Sequence, residues 1–148
     1  MKRFLPYSFL LLLIAAPAVT NAQISAILGK WYTVDSFSGK KQSVILFEQL
    51  ADGSVIGTVV DMVDPKEKNK ICAKGANKGQ PVIGTILFRN FHYQNGILQG
   101  GTVYNPDDGN NYYAKMWIED GKLMMRGGLD KRLIIAMTQK WERVTDNN

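Results

Sequence analysis

The feature that most constrains this chain is a series of short alternating β-runs separated by tight-turn residues. Asp52-Gly53, Asn95-Gly96 and Asp120-Gly121 each stand between two such runs. An Asp or Asn followed by Gly accepts the positive φ angles of two-residue hairpins, so each pair is a strong hairpin signal. Helical periodicity is nearly absent after residue 22. These patterns predict an all-β fold.

The runs and their turns predict a specific sheet topology. Eight strands are predicted: Gly29–Ser36, Gln42–Glu48, Ser54–Val63, Val82–Phe91, Ile97–Tyr104, Asn111–Glu119, Lys122–Gly128 and Leu133–Val144. Most are joined by tight turns, which indicates an antiparallel up-and-down meander. Glycines recur within these strands, among them Gly57, Gly84, Gly100, Gly101, Gly127 and Gly128. Glycine suits strands that bend sharply or approach a neighbour closely, and closure removes exposed sheet edges. We therefore predict an eight-stranded barrel, with a two-sheet sandwich as the alternative.

The first 22 residues have the three-part pattern of a secretory signal peptide. Lys2 and Arg3 precede an uncharged, apolar run from Phe4 to Val19, and Thr20-Asn21-Ala22 places small residues where a signal peptidase cuts. The run is shorter than the roughly 20 residues of a membrane-spanning helix. We therefore predict residues 1–22 as a signal peptide and residues 23–148 as one domain, periplasmic or secreted.

Charge and chemistry exclude several classes of function. Removing Lys2 and Arg3 from the 18 basic residues leaves 16 against 13 acidic ones, a mild net charge of +3 that does not indicate nucleic-acid binding. His92 is the one histidine in the sequence, and no nucleophile is placed beside it. The turn Asn105–Asn110 lacks the spacing and closing glutamate of a calcium loop. We expect no catalytic residues, no metal and no cofactor. Cys72, the one cysteine, is expected to be unpaired and inert, with pairing to another chain or thiol reactivity as alternatives.

Alternation predicts which side chains point into the barrel. In Asn111–Glu119 the apolar face carries Tyr112, Ala114, Met116 and Ile118. In the last strand one face carries Leu133, Ile135, Met137, Gln139, Trp141 and Arg143. An eight-stranded barrel is either packed solid or holds one small ligand, and the sequence leaves both open. The candidate ligand-binding residues are Tyr104, Tyr112, Met116, Met125 and Met137, because aromatic and methionine side chains adapt to apolar ligands.

The long connection Asp64–Pro81 predicts where such a pocket opens. In an up-and-down barrel, successive connections alternate between the two ends. The long connection and the turn Asn105–Asn110 then share the end opposite Trp31, with Tyr104 and Tyr112 near the mouth. The connection contains Lys66, Lys68, Lys70, Lys74 and Lys78. It is either a solvent-exposed loop or a mobile cationic flap over the pocket. A flap would favour a ligand with an acidic head and an apolar body, such as a fatty acid.

Several motifs resemble one known family. They are Gly29-Lys30-Trp31, Gly79 to Gly84, Gly100 to Gly109 followed by Tyr112, Leu123 to Gly127, and Thr138 to Arg143. Together they resemble the exported bacterial family called domain of unknown function 2147. The resemblance implies a lipocalin-like barrel in the periplasm or outside the cell, and it carries over no catalytic residues.

The resemblance also bears on Cys72, Trp31 and Arg143. Many family members have two cysteines separated by two residues in the long loop, but here Gly75 occupies the second place. In lipocalin-like barrels the tryptophan of the first strand plugs the closed end against a basic residue of the last strand, which implies that Trp31 meets Arg143. A guanidinium stacks well on an indole, which supports the same pairing.

These observations lead to one functional prediction and two alternatives. We predict an exported, non-enzymatic binding protein or carrier for a small, largely apolar molecule. The alternative is a structural or interaction protein of the cell envelope with a packed barrel, whose outer face, including Trp117, contacts another protein or a second copy. An enzyme of unrecognised type is the third possibility. No oligomeric state is predicted.

The signal-peptide pattern predicts the mature N-terminus. Protein isolated from its own host should begin at or near Gln23, because the cleavage motif ends at Ala22. Intact mass and N-terminal sequencing measure this directly. A membrane-embedded chain that retains Met1 would contradict the assignment.

Overall fold

The computed structural model describes residues 21–145. Of the predicted signal peptide, Asn21 and Ala22 fall within this range, and the rest of that prediction lies outside it. A short helix, α1 (Asn21–Ser25), precedes nine strand segments, and a 3-10 turn (Pro65–Glu67) follows the third of them. The strands are β1 (Gly29–Val34), β2 (Lys41–Gln49), β3 (Val55–Met62), β4 (Ile86–Gln94), β5 (Ile97–Gln99), β6 (Thr102–Tyr104), β7 (Asn111–Glu119), β8 (Lys122–Gly128) and β9 (Ala136–Arg143).

The strands close into an antiparallel barrel. Apart from β5 and β6, each strand pairs with the next along the chain, and β1 also pairs with β9, with Trp31 opposite Arg143. Segments β5 and β6 both pair with β4 and β7, so together they occupy one position in the wall. The predicted strand Ile97–Tyr104 is broken at Gly100, whose φ is +85°. The predicted eight-stranded up-and-down barrel is confirmed, and the sandwich alternative is wrong.

Two predicted strands begin later than expected. The fourth starts at Ile86 and not at Val82, because Gly84 takes a φ of +93° and the Thr85 hydroxyl donates to the Pro81 carbonyl at 2.7 Å. The last starts at Ala136 and not at Leu133, whose φ of +53° is incompatible with a strand. In both cases a local turn takes the place of the strand pairing that the alternating sequence pattern alone predicts.

Two glycines allow aromatic rings to pack directly on the backbone of the wall. A Cβ at Gly57 would lie 2.7 Å from the Phe47 ring and 2.9 Å from the Phe88 ring. A Cβ at Gly101 would lie 2.4 Å from the Phe91 ring. These distances are shorter than real Cβ contacts, so both positions require glycine for close approach.

Large side chains fill the half of the barrel next to α1. The fully buried ones include Ile27, Trp31, Phe47, Val55, Phe91, Leu98, Met116 and Leu123. The rings of Phe47 and Phe88 meet edge to face at 5.1 Å between centroids, and Phe88 lies 5.8 Å from Trp141. On β7, Ala114 and Met116 are buried as alternation predicts. This end of the molecule is a packed core.

Trp31 closes the base of this core. Its ring is 1% exposed, and its indole N–H donates to the Ile27 carbonyl at 2.7 Å. The Arg143 guanidinium lies 4.2 Å from the ring centroid and donates to the carbonyls of Leu28 and Ala26. The structure thus brings Trp31 and Arg143 together. The segment after α1 is tied to the barrel through both side chains.

We expect Trp31→Ala to destabilise the protein by about 3–5 kcal/mol, because it removes a large buried ring and leaves a cavity. Urea unfolding at neutral pH measures the cost. Trp117→Ala is the matched control, since Trp117 lies half-buried on the outer wall, where its N–H donates to Glu119 at 3.2 Å. The control should cost about 1 kcal/mol. Equal urea midpoints for the two variants would contradict the closing role of Trp31.

Candidate functional site

The half of the barrel opposite Trp31 is hollow. It holds a cavity of about 930 Å³ that opens to solvent. Four connections border its mouth, namely residues 35–40, 63–85, 105–110 and 129–135. The tight turns at Asp52-Gly53, Asn95-Gly96 and Asp120-Gly121 lie at the other end. The barrel is therefore packed at one end and open at the other.

The walls of the cavity are largely apolar. Ile45, Val59, Leu87 and Val103 contribute aliphatic surface. Phe88 and Trp141, which belong to the aromatic cluster of the core, also face the cavity. Gly127 lines the wall without a side chain, which leaves room between β7 and β9. A pocket of this size and character suits a small molecule with an apolar body.

Four of the five candidate ligand-binding residues line the cavity, and one does not. Tyr104, Tyr112, Met125 and Met137 all line the cavity. Met116 does not, because it is fully buried in the packed half, although its backbone is the register partner of Met125. Met137 is half exposed, and it faces the open cavity.

Gln139 is a polar group in the wall that the candidate set omitted. The indole N–H of Trp141 donates to the Gln139 side-chain oxygen at 2.8 Å. An indole nitrogen can only donate, so this contact fixes the orientation of the amide and directs its NH₂ group elsewhere. Within residues 21–145, no hydrogen bond uses that NH₂ group, and Gln139 lines the cavity. The alternation of β9 placed Gln139 on the inner face, but the pairing that orients its amide needed the folded geometry.

The two tyrosine hydroxyls are used by the loops around the mouth. Tyr104 donates to the Lys74 carbonyl at 2.5 Å, and burial raises the pKa of its phenol. Tyr112 donates to the Asp108 carboxylate at 2.5 Å. That hydrogen bond lowers the pKa of Asp108 and raises the pKa of Tyr112. The Tyr104 ring packs on Gly75 of the long connection, where an added Cβ would lie 2.8 Å from it, and the hydroxyls of both tyrosines hold the loops of the mouth in place.

The long connection is an ordered part of the mouth. The Ala73 N–H donates to the Pro106 carbonyl at 2.8 Å, and Ile71 forms a β-bridge with Pro81. Gly75 and Gly109 touch so closely that a Cβ at Gly75 would lie 2.7 Å from the Gly109 carbonyl oxygen. These contacts do not fit a mobile flap, because they join the connection to the turn between β6 and β7.

The mouth carries charges of both signs. Lys70 lines the cavity and forms ion pairs with Asp107 at 3.1 Å and Glu67 at 3.6 Å. Lys68, on the same connection, pairs with Asp61 at 3.2 Å. Nearby carboxylates therefore neutralise Lys68 and Lys70, two of the five lysines that the connection contains.

The other chemically reactive residues, Cys72 and His92, do not form a common site. Cys72 is a buried free thiol, with Sγ 3.8 Å from the Thr85 hydroxyl. Gly75, the place of a second cysteine in many family members, has a φ of +83° and no space for a side chain. His92 is exposed on β4. In residues 21–145, no three His, Cys, Asp or Glu side chains lie close enough together to hold a metal ion.

A barrel with one packed end and one open, apolar end defines the lipocalin-like class. A Helicobacter pylori protein, HP1028, described as belonging to the lipocalin family, superposes with a TM-score of 0.68 at 22% identity, over 80% of this chain and 83% of that one. The chain belongs to a bacterial family, DUF2147, described as an uncharacterized protein conserved in bacteria, whose model matches residues 29–143. No curated protein matches the chain. Across the described range, no helix combines the length and apolar character of a membrane crossing.

The pair Asp108–Tyr112 predicts an acid-sensitive mouth. The pKa of Asp108 is lowered in the folded state, so the pair stabilises the protein above the ordinary carboxyl pKa and loses that effect as pH falls below about 4. We expect Tyr112→Phe to lower the urea midpoint at neutral pH. The difference from the unmodified protein should shrink as pH falls from about 5 to 3.

Tyr113→Phe provides the control, because Tyr113 lies on the opposite face of β7. Its effect on the urea midpoint should not depend on pH in this range. A pH-independent effect of Tyr112→Phe would show that the hydrogen bond to Asp108 contributes nothing to stability.

Proposed function

We propose that the protein binds and carries a small, largely apolar molecule in the open half of its barrel. The observation that carries the proposal is the apolar cavity with one oriented hydrogen-bond donor, the Gln139 NH₂ group, in its wall. Eight-stranded barrels of this kind can hold one small ligand. The cavity also falls within the range of about 300–1,000 Å³ that is typical of ligand pockets.

The hollow half supports binding on energetic grounds. Ile45, Val59, Phe88 and Trp141 in its walls are almost fully buried, whereas Leu87, Val103, Tyr112 and Met125 keep part of their surface exposed. Covering that remaining apolar surface contributes about 25 cal/mol per Å². Met125 and Met137 add flexible side chains on adjacent strands. Such side chains fit irregular apolar shapes. A ligand with an apolar body would gain affinity from this surface without a specific shape.

The polar end of the ligand follows from Gln139 more directly than from the lysines. Lys70 already pairs with two carboxylates, so it offers little free charge to an acidic head group. The Gln139 NH₂ group instead offers two donors to a hydrogen-bond acceptor. We infer that the ligand carries a carbonyl, carboxyl or similar acceptor next to its apolar part. A fatty acid is one molecule of this form.

The proposed setting is the periplasm or the cell exterior. It rests on the signal-peptide pattern of residues 1–22. The alternative of a packed envelope interaction protein is less well supported, because the cavity leaves half of the barrel unfilled. We accordingly propose a non-enzymatic carrier.

A displacement assay tests both the site and the head group. N-phenylnaphthylamine, an apolar fluorophore without a carbonyl, should bind saturably. Decanoic acid and methyl decanoate should displace it. Gln139→Leu should weaken both competitors by about three- to tenfold, because a hydrogen bond is lost. The fluorophore itself should bind within twofold of its original affinity.

Two further variants localise the site. Gly127→Leu should abolish fluorophore binding by filling the cavity, since a Cβ there has no other atom closer than 3.5 Å. Gln94→Leu is the matched control for Gln139, because Gln94 is exposed near the closed end of the barrel. If Gly127→Leu leaves binding unchanged, the site lies elsewhere. If no apolar probe binds at all, the packed interaction protein becomes the better proposal.

A further inference from the structure

The rim of the open end exposes large apolar side chains. Four of them define what we name the apolar rim: Phe37, Leu129, Ile134 and Ile135, which are 88%, 72%, 71% and 84% exposed. Single exposed apolar residues are ordinary, whereas a contiguous group indicates an interaction surface. This group lies outside the walls of the barrel and is not needed to close it.

The topology brings these residues to one side of the mouth. Phe37 lies in the connection between β1 and β2, and the other three lie in the connection between β8 and β9. Because β1 pairs with β9 in the wall, the two connections are neighbours at the open end. Leu129 and Ile135 also border the cavity. The apolar surface therefore continues from the cavity wall to the outer tip of the rim.

The exposure of Ile134 and Ile135 is imposed by the loop that carries them. Leu133 is 7% exposed and takes a φ of +53°, a conformation that is costly for a leucine. Its carbonyl accepts from the Arg126 guanidinium at 2.9 Å, and its N–H donates to the Asp130 carbonyl at 3.0 Å. Anchoring Leu133 inward in this way turns the next two isoleucines outward.

Basic residues accompany the apolar ones. Lys131 and Arg132 are exposed in the same loop as Ile134. The Lys131 ammonium lies 5.7 Å from the centroid of the Tyr113 ring, on the outer wall. Lys40 follows Phe37 in the neighbouring connection and is also exposed. Asp130 uses its carboxylate to accept from the Arg132 backbone N–H at 2.9 Å. No ion pair joins Lys40, Lys131 or Arg132 to an acid among residues 21–145.

We propose that the apolar rim docks on the surface of an anionic phospholipid bilayer. Aliphatic and aromatic side chains enter the boundary between head groups and acyl chains, and basic side chains beside them attract lipid phosphates. Lys40, Lys131 and Arg132 outnumber the carboxylates of the same connections, Asp35 and Asp130, and this net positive charge next to exposed aliphatic surface is the complement of such a membrane. Docking would place the mouth of the cavity against the lipid. This proposal goes beyond ligand binding and does not require it.

Vesicle binding tests the proposal. The full-length sequence is expressed in its own host, and the protein is purified as the cell processes it. Intact-mass measurement then determines the N-terminus of every variant. Binding is measured by co-sedimentation with vesicles of phosphatidylglycerol and phosphatidylcholine, and with vesicles of phosphatidylcholine alone. We expect binding to the anionic vesicles, and a strong loss at high salt.

Variants separate the apolar and the charged contributions. Phe37→Ser combined with Ile134→Ser should weaken binding at least tenfold, because both side chains would be buried in lipid. Lys131→Gln combined with Arg132→Gln should weaken it by about fivefold for each charge. Leu50→Ser is the matched control, because Leu50 is 43% exposed at the closed end. Its binding should stay within twofold.

The outcomes distinguish this proposal from the proposed function. Phe37 and Ile134 do not line the cavity, so their double variant should still bind the apolar fluorophore. Absence of vesicle binding, or an equal loss with Leu50→Ser, would overturn the membrane proposal and leave ligand binding untouched. A concentration-dependent dimer that the Phe37 and Ile134 changes abolish, without vesicle binding, would assign the rim to a second copy of the chain instead.

Discussion

The indole of Trp31 fills the base of the barrel, and the position of the cavity depends on it. Its N–H is satisfied by the Ile27 carbonyl, and its ring is covered by the Arg143 guanidinium. The same guanidinium holds the carbonyls of Ala26 and Leu28. One aromatic side chain therefore joins the first strand, the last strand and the N-terminal segment. With this end closed, a ligand can enter at the opposite end alone.

Side-chain volume decides how far the packed core extends. Phe47, Phe88 and Phe91 lie flush against the wall because Gly57 and Gly101 leave space for their rings. Further along the barrel, β8 contributes Gly127, which lacks a side chain to fill the interior. Large residues near the base and small or flexible ones above it produce a barrel that is filled over half its length. This gradient separates a stable core from a usable cavity.

The open end carries two apolar surfaces, and apolar surface is costly to expose to water. The cavity walls are apolar, and so is the rim formed by Phe37, Leu129, Ile134 and Ile135. Docking on a bilayer would cover the rim, and a ligand would cover the walls. If both proposals hold, an apolar ligand could pass between membrane and cavity with little exposure to water. The outer-face contact suggested by Trp117 is less compelling, since that ring lies between Lys115 and Glu119 on a polar wall.

Local sequence patterns determined the topology of this protein. Asp-Gly and Asn-Gly pairs select tight hairpins whatever the tertiary context, and alternation along β7 placed Ala114 and Met116 inside. The position of Tyr104 and Tyr112 near the mouth followed from the alternation of connections.

Tertiary packing decided the details of the cavity and the rim, which these local patterns do not contain. Met116 left the candidate site because its neighbours fill the space around it, and the charge of Lys70 was cancelled by Asp107 from a distant turn. The Gln139 amide was oriented by Trp141, and the rim was exposed by the inward anchoring of Leu133. Each of these four outcomes depends on which side chains contact one another in the folded chain. The sequence by itself therefore determined the order of the strands, whereas the shape and chemistry of the cavity were decided by the folded structure.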